Sequence, residues 1–249
     1  MKNYMNVVLG VALLFAVSGC GNHHKLGNVI SFGISAEYPP FEYIQKGVLK
    51  GFDIDLARLV AKQLNKKAVF ENMQFSTILP ATQSGHVDAA ISTITITPER
   101  EKNFDFSDSY YIESLAMVYP NGAPIIHESQ LSGKKIACQL GTTMEVWLKE
   151  HAPDTQIITF DGNPQAIEAL KAGHVDGVFI DGIQATVFSK NNLGLAYAVL
   201  AQSDTGYGVA VKKGSPLKDE INAALKALEN SGELAALKKK CFVEGQWTS

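Results

Sequence analysis

The stretch that decides the fold is Ile91-Ser-Thr-Ile-Thr-Ile-Thr-Pro-Glu-Arg100. Threonines alternate with isoleucines through it, which is the two-residue period of an extended strand. Thr97 followed by Pro98 is typical of a helix N-cap and the first helical residue. The sequence therefore predicts a strand that ends where a helix begins, with Arg100 in the first helical turn.

Arg100 at a helix start indicates an anion site. The first backbone N–H groups of a helix attract anions, and a guanidinium matches a carboxylate with two parallel hydrogen bonds. The carboxylate of a small ligand could be held here. An ordinary edge strand with a surface arginine is the alternative interpretation.

Length and composition allow one large domain or two lobes. The chain has 249 residues, of which 46% are hydrophobic and 19% charged, with a formal net charge of −3. This is enough apolar material for a packed core and too little charge for a disordered chain. The net charge is close to zero, so the chain lacks the excess of basic residues that binds nucleic acid, and we expect no nucleic-acid partner.

The N-terminus reads as a lipoprotein signal peptide. Lys2 precedes the apolar run Val7–Val17, which is too short to span a bilayer. Val17-Ser-Gly-Cys20 resembles a bacterial lipobox, which implies cleavage before Cys20 and lipid attachment to its sulfur. A plain secretory signal with an incidental cysteine is the alternative. We expect residues 1–19 to be the signal peptide and 20–27 a tether, and the protein to be periplasmic or extracytoplasmic and lipid-anchored to a membrane.

The remaining cysteines, Cys138 and Cys241, are predicted as two buried free thiols, although export would permit a disulfide. The His and Cys spacings match no metal-site pattern, so we expect neither a metal nor a cofactor.

Strands alternate with helices along the first half of the chain, which favours a parallel α/β sheet. Strands are predicted at Val29–Ser35, Val69–Glu71 and Val87–Ser92, and helices at Asp53–Lys66 and Ser76–Ser84. Asp53 is predicted as the N-cap of the first of these helices.

The second half repeats this order. Strands are predicted at Ile136–Leu140, Ile157–Phe160 and Val175–Ile180, the last followed by Asp181. Thr142 to Glu145 form a capping-box pattern that starts one helix, and Asn163-Pro164 starts another.

A repeated Gly-His-Val-Asp motif occurs once in each half of the chain. Gly85-His-Val-Asp-Ala89 and Gly173-His-Val-Asp-Gly177 each close a helix and start a buried strand. Matching context predicts two similarly built lobes. Ligands of open α/β sheets bind outside the carboxyl ends of the strands, so two facing sheets would enclose a cleft.

Two extended segments, Tyr110–Tyr119 and Tyr207–Val211, are predicted to cross between the lobes as a hinge. This places residues 28–114 and 208–249 in lobe 1 and residues 115–207 in lobe 2. Helices near Leu217–Asn230 and Glu233–Lys240 are predicted to pack back on lobe 1.

Five ordered motifs then carry a family resemblance over nearly everything after Val29. They are Tyr38-Pro-Pro-Phe-Glu42, Gly51-Phe-Asp-Ile-Asp-Leu-Ala57, Ile96-Thr-Pro-Glu-Arg100, Gln139-Leu-Gly-Thr-Thr143 and Tyr207-Gly-Val-Ala-Val211. Together they resemble the polar amino-acid substrate-binding proteins of ABC importers, bacterial extracellular solute-binding protein family 3. The resemblance implies the two-lobed type II periplasmic-binding-protein fold, an α/β fold, and an ABC permease in the inner membrane as partner. We expect a monomer without enzymatic activity.

The resemblance also implies an amino-acid clamp. Arg100 would hold the α-carboxylate with the backbone N–H groups of Thr95 and Thr143. The α-ammonium would meet Asp181, the Thr95 hydroxyl and the Thr93 carbonyl. A zwitterion that leaves water needs both charges matched, and Asp181 and Thr143 engage only when the cleft closes. Asp181 could instead merely cap the helix that follows it.

The resemblance assigns the ligand side chain to two aromatics, Tyr38 and Phe52, which would sandwich it. Core packing is the alternative for both. Arginine is the first expectation, since aromatic faces suit a stacked guanidinium, with glutamine or another polar amino acid behind it.

Selectivity is less clear in the sequence. Many relatives have an aspartate where this chain has Ser35, which weakens a simple transfer of basic specificity. Glu37 and Glu42 lie close by and either could face a guanidinium, or both could point to solvent. Gln139 could add a hydrogen bond from lobe 2.

Two other functions compete. Periplasmic dehydratases of the prephenate or arogenate type share this fold but would need a positioned general acid or base. The sequence places no His or Cys beside the candidate ligand residues. A surface lipoprotein that uses the fold to contact a host or partner is a third interpretation.

Overall fold

The computed structural model describes residues 27–243. The strands are β1 Val29–Ile34, β2 Glu37–Tyr38, β3 Glu42–Gln45, β4 Val48–Lys50, β5 Lys67–Asn72, β6 Ala89–Ala90, β7 Phe104–Phe106, β8 Ser114–Pro120, β9 Lys135–Gln139, β10 Gln156–Phe160, β11 Gly177–Asp181, β12 Leu195–Gln202 and β13 Ala210–Lys212. The helices are α1 Phe52–Gln63, α2 Phe75–Ser84, α3 Pro98–Glu101, α4 Thr143–His151, α5 Asn163–Lys171, α6 Gly182–Asn191, α7 Leu217–Asn230 and α8 Glu233–Lys238. A 3₁₀ turn at Glu128–Gln130 and a π-helical turn at Lys239–Val243 complete the regular structure.

Two five-stranded sheets form two lobes with the same topology. The strand order is β5-β1-β6-β13-β7 in lobe 1 and β10-β9-β11-β8-β12 in lobe 2. In each sheet the first three strands are parallel and the last two join antiparallel. The short antiparallel sheet β2-β3-β4 belongs to lobe 1. The predicted two-lobed α/β fold is confirmed.

The repeated Gly-His-Val-Asp motif has the same structural role in both lobes. Gly85 and Gly173 adopt the left-handed conformation that closes the preceding helix, with φ of 78° and 73°. Asp88 then accepts from the Ser31 backbone N–H at 3.0 Å, and Asp176 accepts from that of Lys135 at 2.8 Å. Each aspartate ties the start of its strand to the neighbouring parallel strand, β1 in lobe 1 and β9 in lobe 2.

The cores follow the two lobes. α7 and α8 pack against α1 and place Ile221 and Leu228 of α7 and Leu234 and Leu237 of α8 in the lobe 1 core, so they pack on lobe 1 as the sequence predicts. Cys241 is buried with the lobe 1 core and Cys138 with a lobe 2 core, and both thiols are free. Burial raises the pKa of Cys138 to about 12 and that of Cys241 to about 11.

The hinge lies where two crossing segments meet. The Tyr207 backbone N–H donates to the Tyr111 carbonyl at 2.7 Å, and the Tyr110 N–H donates to the Tyr207 carbonyl at 2.9 Å. Tyr207 also bridges to Thr95. The deciding stretch of sequence therefore touches the hinge directly.

Two local predictions are corrected. The strand predicted through Ile96 ends at Ala90, because Thr93 has a φ of 48° and turns the chain out of the sheet. Asp53 is not the N-cap of α1. Gly51 takes that place at a φ of 128°, where a Cβ would lie 2.0 Å from the Phe41 carbonyl oxygen. The N-cap at Thr97 is confirmed, because its hydroxyl accepts from the Arg100 N–H at 3.2 Å.

Within residues 27–243, none of the helices has the length and apolar character needed to cross a membrane, and no His, Cys, Asp or Glu cluster has a metal-binding arrangement. The predicted signal peptide, Cys20 and residues 20–26 of the tether lie outside the described residues.

Candidate functional site

Arg100 projects from the first turn of α3 into the space between the lobes. Its Nη1 donates to the Thr95 carbonyl at 2.8 Å, and its Nη2 donates across the cleft to the Gly141 carbonyl at 3.0 Å. The guanidinium end is buried, although the residue as a whole keeps some exposed surface. Burial lowers the pKa of Arg100 to about 10, so the side chain stays cationic at neutral pH.

Asp181 supplies a carboxylate from lobe 2. It caps α6 with Oδ1, which accepts from the N–H groups of Ile183 at 2.8 Å and Gln184 at 3.1 Å. Oδ2 accepts from the Tyr207 hydroxyl at 2.5 Å. Burial raises the pKa of Asp181, and these hydrogen bonds act in the opposite direction. Helix capping therefore uses one oxygen and leaves the other aimed towards the hinge.

Two threonines face each other across the cleft. The Thr95 and Thr143 hydroxyl oxygens are 3.3 Å apart, and the Thr95 hydroxyl donates to Glu113 at 2.6 Å. Thr143 is the first residue of α4, so its N–H belongs to a helix start. Thr142 is the N-cap residue, but its hydroxyl donates to the Gln139 carbonyl instead of capping, and Glu145 accepts from the Gly141 N–H. The predicted capping box is therefore not formed as expected.

These groups surround a small cavity between the lobes. It measures about 10 Å³, near the least space that one water needs. The lining residues are Tyr38, Phe75, Thr93, Thr95, Arg100, Glu113, Thr142, Thr143, Met144 and Tyr207. The lobes therefore contact each other closely at the carboxyl ends of their parallel strands.

A wider groove of about 730 Å³ lies elsewhere, beside the amino-terminal ends of β1 and β6. Ligands of open α/β sheets bind at the opposite, carboxyl ends of the strands. The interlobe cavity is therefore the better candidate site despite its smaller volume.

The two predicted aromatics lie in different places. Tyr38 lines the cavity, and its hydroxyl lies beside Asn163 of lobe 2. Phe52 is fully buried in the lobe 1 core, where its ring packs 4.9 Å from Phe242 and 5.9 Å from Tyr110. The expectation that Phe52 sandwiches the ligand is corrected, since its ring is enclosed by other aromatics.

Glu42 also lies inside lobe 1, outside the cavity lining. Its Oε1 accepts from the Ser92 hydroxyl at 2.7 Å, and its carboxyl lies against that of Asp53. Burial and then the Asp53 charge raise the pKa of Glu42 well above its usual value. Because the carboxyl is enclosed by its own lobe, the expectation that Glu42 faces a ligand guanidinium is corrected.

Asp53 shapes the turn at Thr93. Its Oδ2 accepts from the Thr93 N–H and from the Tyr110 hydroxyl, each at 2.9 Å. Burial raises the pKa of Asp53 to about 6. Glu42 and Asp53 together hold Ser92 and Thr93 from beneath, so they position the cleft backbone without lining the cleft.

The remaining predicted residues, Ser35, Glu37 and Gln139, lie outside the cavity lining. The Ser35 N–H donates to the Ser92 hydroxyl at 3.0 Å. Glu37 is exposed, and its carboxylate reaches the backbone of Gly162 in lobe 2. Gln139 donates through Nε2 to the Asp161 carbonyl at 2.8 Å, while its buried Oε1 lacks a partner among the described residues.

Five of the lining residues are not among the contacts that the sequence predicts, namely Phe75, Glu113, Thr142, Met144 and Tyr207. Tyr207 belongs to one of the motifs that carry the resemblance and to a predicted hinge segment, but the sequence gives it no role towards a ligand. Glu113 is the lone acid within the predicted crossing segment Tyr110–Tyr119. A carboxylate in an otherwise apolar extended run was the available indication of a buried polar site.

Comparison with known proteins identifies the family. Residues 30–244 match the model of the bacterial extracellular solute-binding proteins, family 3. The chain belongs to this family. The family places this solute-binding protein outside the cytoplasm, and it confirms the resemblance that the five motifs carry.

The relatives of this solute-binding protein are described as binding different amino acids. The arginine-binding extracellular protein ArtP of Bacillus subtilis is 33% identical over 97% of this chain and 98% of its own. An ancestral arginine-binding protein, solved with arginine and with glutamine, is 37% and 38% identical, with TM-scores of 0.82 and 0.83 over 86% of this chain and 98% of its own. The ancestral amino acid-binding protein AncCDT-1, a precursor of cyclohexadienyl dehydratase, is 34% identical, with a TM-score of 0.81 over 87% of this chain and 96% of its own.

Proposed function

We propose that this solute-binding protein captures a polar L-amino acid, with arginine as first choice, by closure of its two lobes, and delivers it to an ABC permease in the inner membrane. One observation carries the proposal. A cation from lobe 1, Arg100, lines the interlobe cavity together with the hinge residue Tyr207, and the Tyr207 hydroxyl donates to a carboxylate from lobe 2, Asp181.

An α-amino acid matches this arrangement because it has one charge of each sign. The Arg100 fork would take the α-carboxylate with the N–H groups of Thr95 and Thr143. Asp181 Oδ2 would take the α-ammonium with the Thr95 hydroxyl and the Thr93 carbonyl. Both partners are required, since an unpaired buried charge costs several kcal/mol.

Closure follows from which lobe supplies each group. Separation of the lobes would break the Arg100–Gly141 hydrogen bond and the Thr95–Thr143 contact. The guanidinium and both hydroxyls would then be available to an incoming ligand. A ligand that bridges Arg100 and Asp181 interacts more strongly with the closed form, so it shifts the equilibrium towards closure.

Arginine is proposed for two reasons. Tyr38 contributes an aromatic ring to the cavity lining, and two more polar groups lie where the lobes meet: Glu37, beside Gly162 of lobe 2, and Gln139, which donates to Asp161. A long polar side chain would extend towards them. ArtP and the ancestral protein are both described as arginine-binding, and the latter was also solved with glutamine. Glutamine or another polar amino acid is therefore the second choice.

Calorimetry against the twenty L-amino acids tests the proposal. At least one polar amino acid should bind one to one, and Arg100→Ala should weaken binding at least 100-fold because it removes the carboxylate clamp. The matched control is Arg58→Ala, since Arg58 is the chain's other arginine and pairs with Asp55 on the solvent-facing side of α1. Loss of binding in both variants, or in neither, would contradict the clamp.

We also propose a monomer that is anchored through lipid on Cys20. Mass spectrometry of the mature N-terminus should show a diacylglyceryl adduct, and Cys20→Ser should release the protein from the membrane fraction. A membrane-bound Cys20→Ser protein would contradict the anchor.

A dehydratase is the second candidate because the structure adds a group that the sequence did not indicate. Glu113 is a buried carboxyl in the cleft, and burial raises its pKa to about 7, which suits a general acid. Incubation with prephenate separates the candidates. Formation of an aromatic product would favour the enzyme, whereas unchanged prephenate together with amino-acid binding would support transport.

A further inference from the structure

Glu113 places a second carboxyl in the cleft, at the start of the segment that crosses from lobe 1 to lobe 2. It lines the interlobe cavity and is 1% exposed. Its Oε1 accepts from the Thr95 hydroxyl at 2.6 Å. Its Oε2 is buried without a hydrogen-bond partner among the described residues. Because the Tyr207 hydroxyl beside this carboxyl donates its proton to Asp181, Oε2 is left to accept from a donor that enters the cavity.

The charges around the cavity do not balance. Arg100 and Glu113 line the cavity, and a second acid, Asp181, lies directly behind the lining residue Tyr207, whose hydroxyl donates to it. An amino acid with a neutral side chain would pair Arg100 and one acid, and it would leave the other acid buried and unpaired. An amino acid with a cationic side chain would pair all three groups.

We infer that Glu113 is a specificity-determining residue that receives a second cationic group of the ligand and so selects basic amino acids. The inference rests on the proposed function and names its substrate class. Glu37 and Glu42 were the acids that the sequence offered for this role, but Glu42 is enclosed in lobe 1 and Glu37 is exposed outside the cavity lining.

The surroundings of Glu113 set how it would titrate. The groups that face it are Thr95, Arg100, Tyr38, Tyr111, Asp181 and Tyr207. Burial and, less strongly, the Asp181 charge raise the pKa of Glu113, while Thr95, Tyr207 and the Arg100 charge lower it, and the resulting pKa is about 7. At neutral pH about half of the molecules would carry a proton on this carboxyl.

A cationic ligand group would favour the ionised form of Glu113. Binding near pH 7 should therefore release about half a proton, and affinity for a basic amino acid should rise as the pH increases from about 6 to 8. A neutral side chain offers no such partner, so its binding should release no proton from Glu113.

The test compares L-arginine with L-glutamine by calorimetry at pH 8 in the wild type, Glu113→Gln and the control Glu99→Gln. Glu99 is an exposed acid of α3 in the same lobe. Glu113→Gln should weaken the affinity for arginine at least tenfold and change the affinity for glutamine less than threefold. Glu99→Gln should change neither affinity. An equal loss for both ligands would show that Glu113 only positions Thr95 or shares the α-ammonium, and it would overturn the inference.

Proton release supplies a readout that does not depend on the variant folding. Wild-type titrations with arginine at pH 7, in buffers of different ionisation enthalpy, should show release of about half a proton. The inference would be overturned if arginine binding released no protons, or if the protein bound glutamine but not arginine. Either result would leave amino-acid binding itself intact. A wild type that binds no amino acid would instead overturn the proposed function and the inference with it.

Discussion

Two pairs of buried carboxyls lie on either side of the same stretch of chain, and they differ in what holds them. Glu42 and Asp53 take their partners, Ser92, Thr93 and Tyr110, from lobe 1 and the start of the hinge. Glu113 and Asp181 are linked through Tyr207, Glu113 also accepts from Thr95, and the two acids come from the hinge and lobe 2. The first pair has its partners within lobe 1 and its boundary with the hinge, whereas the second pair connects the hinge to lobe 2.

The comparison teaches that burial and a raised pKa do not by themselves mark a ligand site. Burial raises the pKa in all four carboxyls. The difference is that Glu42 and Asp53 are enclosed by a single lobe, whereas Glu113 lines a cavity between the lobes and Asp181 bonds to its lining residue Tyr207. The inner pair fixes the backbone at Thr93, and we propose that the cleft pair exchanges partners with a ligand.

The largest difference between the pairs should appear in ligand affinity. Asp181→Asn should weaken amino-acid binding about 10- to 100-fold, because the α-ammonium loses its charged partner. Asparagine caps helices as well as aspartate does, so α6 should be kept. Calorimetry with the best-bound amino acid measures the effect.

The matched control is Asp53→Asn. An asparagine oxygen can still accept from the Thr93 N–H and the Tyr110 hydroxyl, so affinity should change less than threefold. If Asp53→Asn were as damaging as Asp181→Asn, the two pairs would not differ in the way described.

The pairs should also differ in the pH dependence of stability. Unfolded Asp53 loses its proton near pH 4, whereas burial raises its folded pKa to about 6, so the unfolded state binds fewer protons between these values. Its stabilising contribution is therefore complete below pH 4 and falls by about 2–3 kcal/mol as the pH rises through 6. Urea unfolding from pH 4 to 8 measures it.

Asp53→Asn should remove this decline in the free energy of unfolding. Glu113→Gln should remove a similar decline that extends to about pH 7, because the folded pKa of Glu113 is about 7. Identical pH profiles for the wild type and Asp53→Asn would contradict the account of the inner pair.

A smaller effect is expected for Glu42→Gln. Burial and then the Asp53 charge raise the pKa of Glu42 well above its usual value, and its carboxyl lies outside the cavity lining, so the amide should replace it with less than a threefold change in affinity. Arginine and glutamine should be affected equally, as competition binding can show. A selective loss of arginine would return Glu42 to the specificity set.

The smallest effect concerns an exposed contact between the lobes. Gln74 Nε2 donates to Asp161 at 3.1 Å across the cleft opening. Gln74→Ala should weaken binding less than threefold, since exposed hydrogen bonds contribute little. The exposed Gln63 at the end of α1 offers a matched Gln63→Ala control. A tenfold loss in Gln74→Ala alone would show that this contact controls closure.

Local patterns predicted the parts of the fold that depend on neighbours in sequence. The Thr97-Pro98 helix start and the two Gly-His-Val-Asp turns were read correctly, because caps and left-handed glycines are set by a few adjacent residues. The repeated order of strands and helices then gave both lobes.

Contacts between distant residues explain what the sequence did not predict. Asp53 resembled an N-cap, but it bonds to Thr93, 40 residues away. Glu113 meets Tyr207 and Asp181 only after the chain has crossed the hinge twice. Five predicted contacts, Tyr38, Thr93, Thr95, Arg100 and Thr143, do line the cavity. Their roles towards a ligand remain predictions, and the structure assigns Phe52 and Glu42 to the interior of lobe 1.

The most direct test of the amino-acid clamp uses the ligand. Competition calorimetry should compare the best-bound amino acid with its decarboxylated amine and with its Nα-acetyl derivative. The clamp predicts that each analogue binds at least 100-fold more weakly, because one leaves Arg100 and the other leaves Asp181 without a charged partner. If either analogue bound within threefold of the parent amino acid, recognition by paired charges across the cleft would be contradicted.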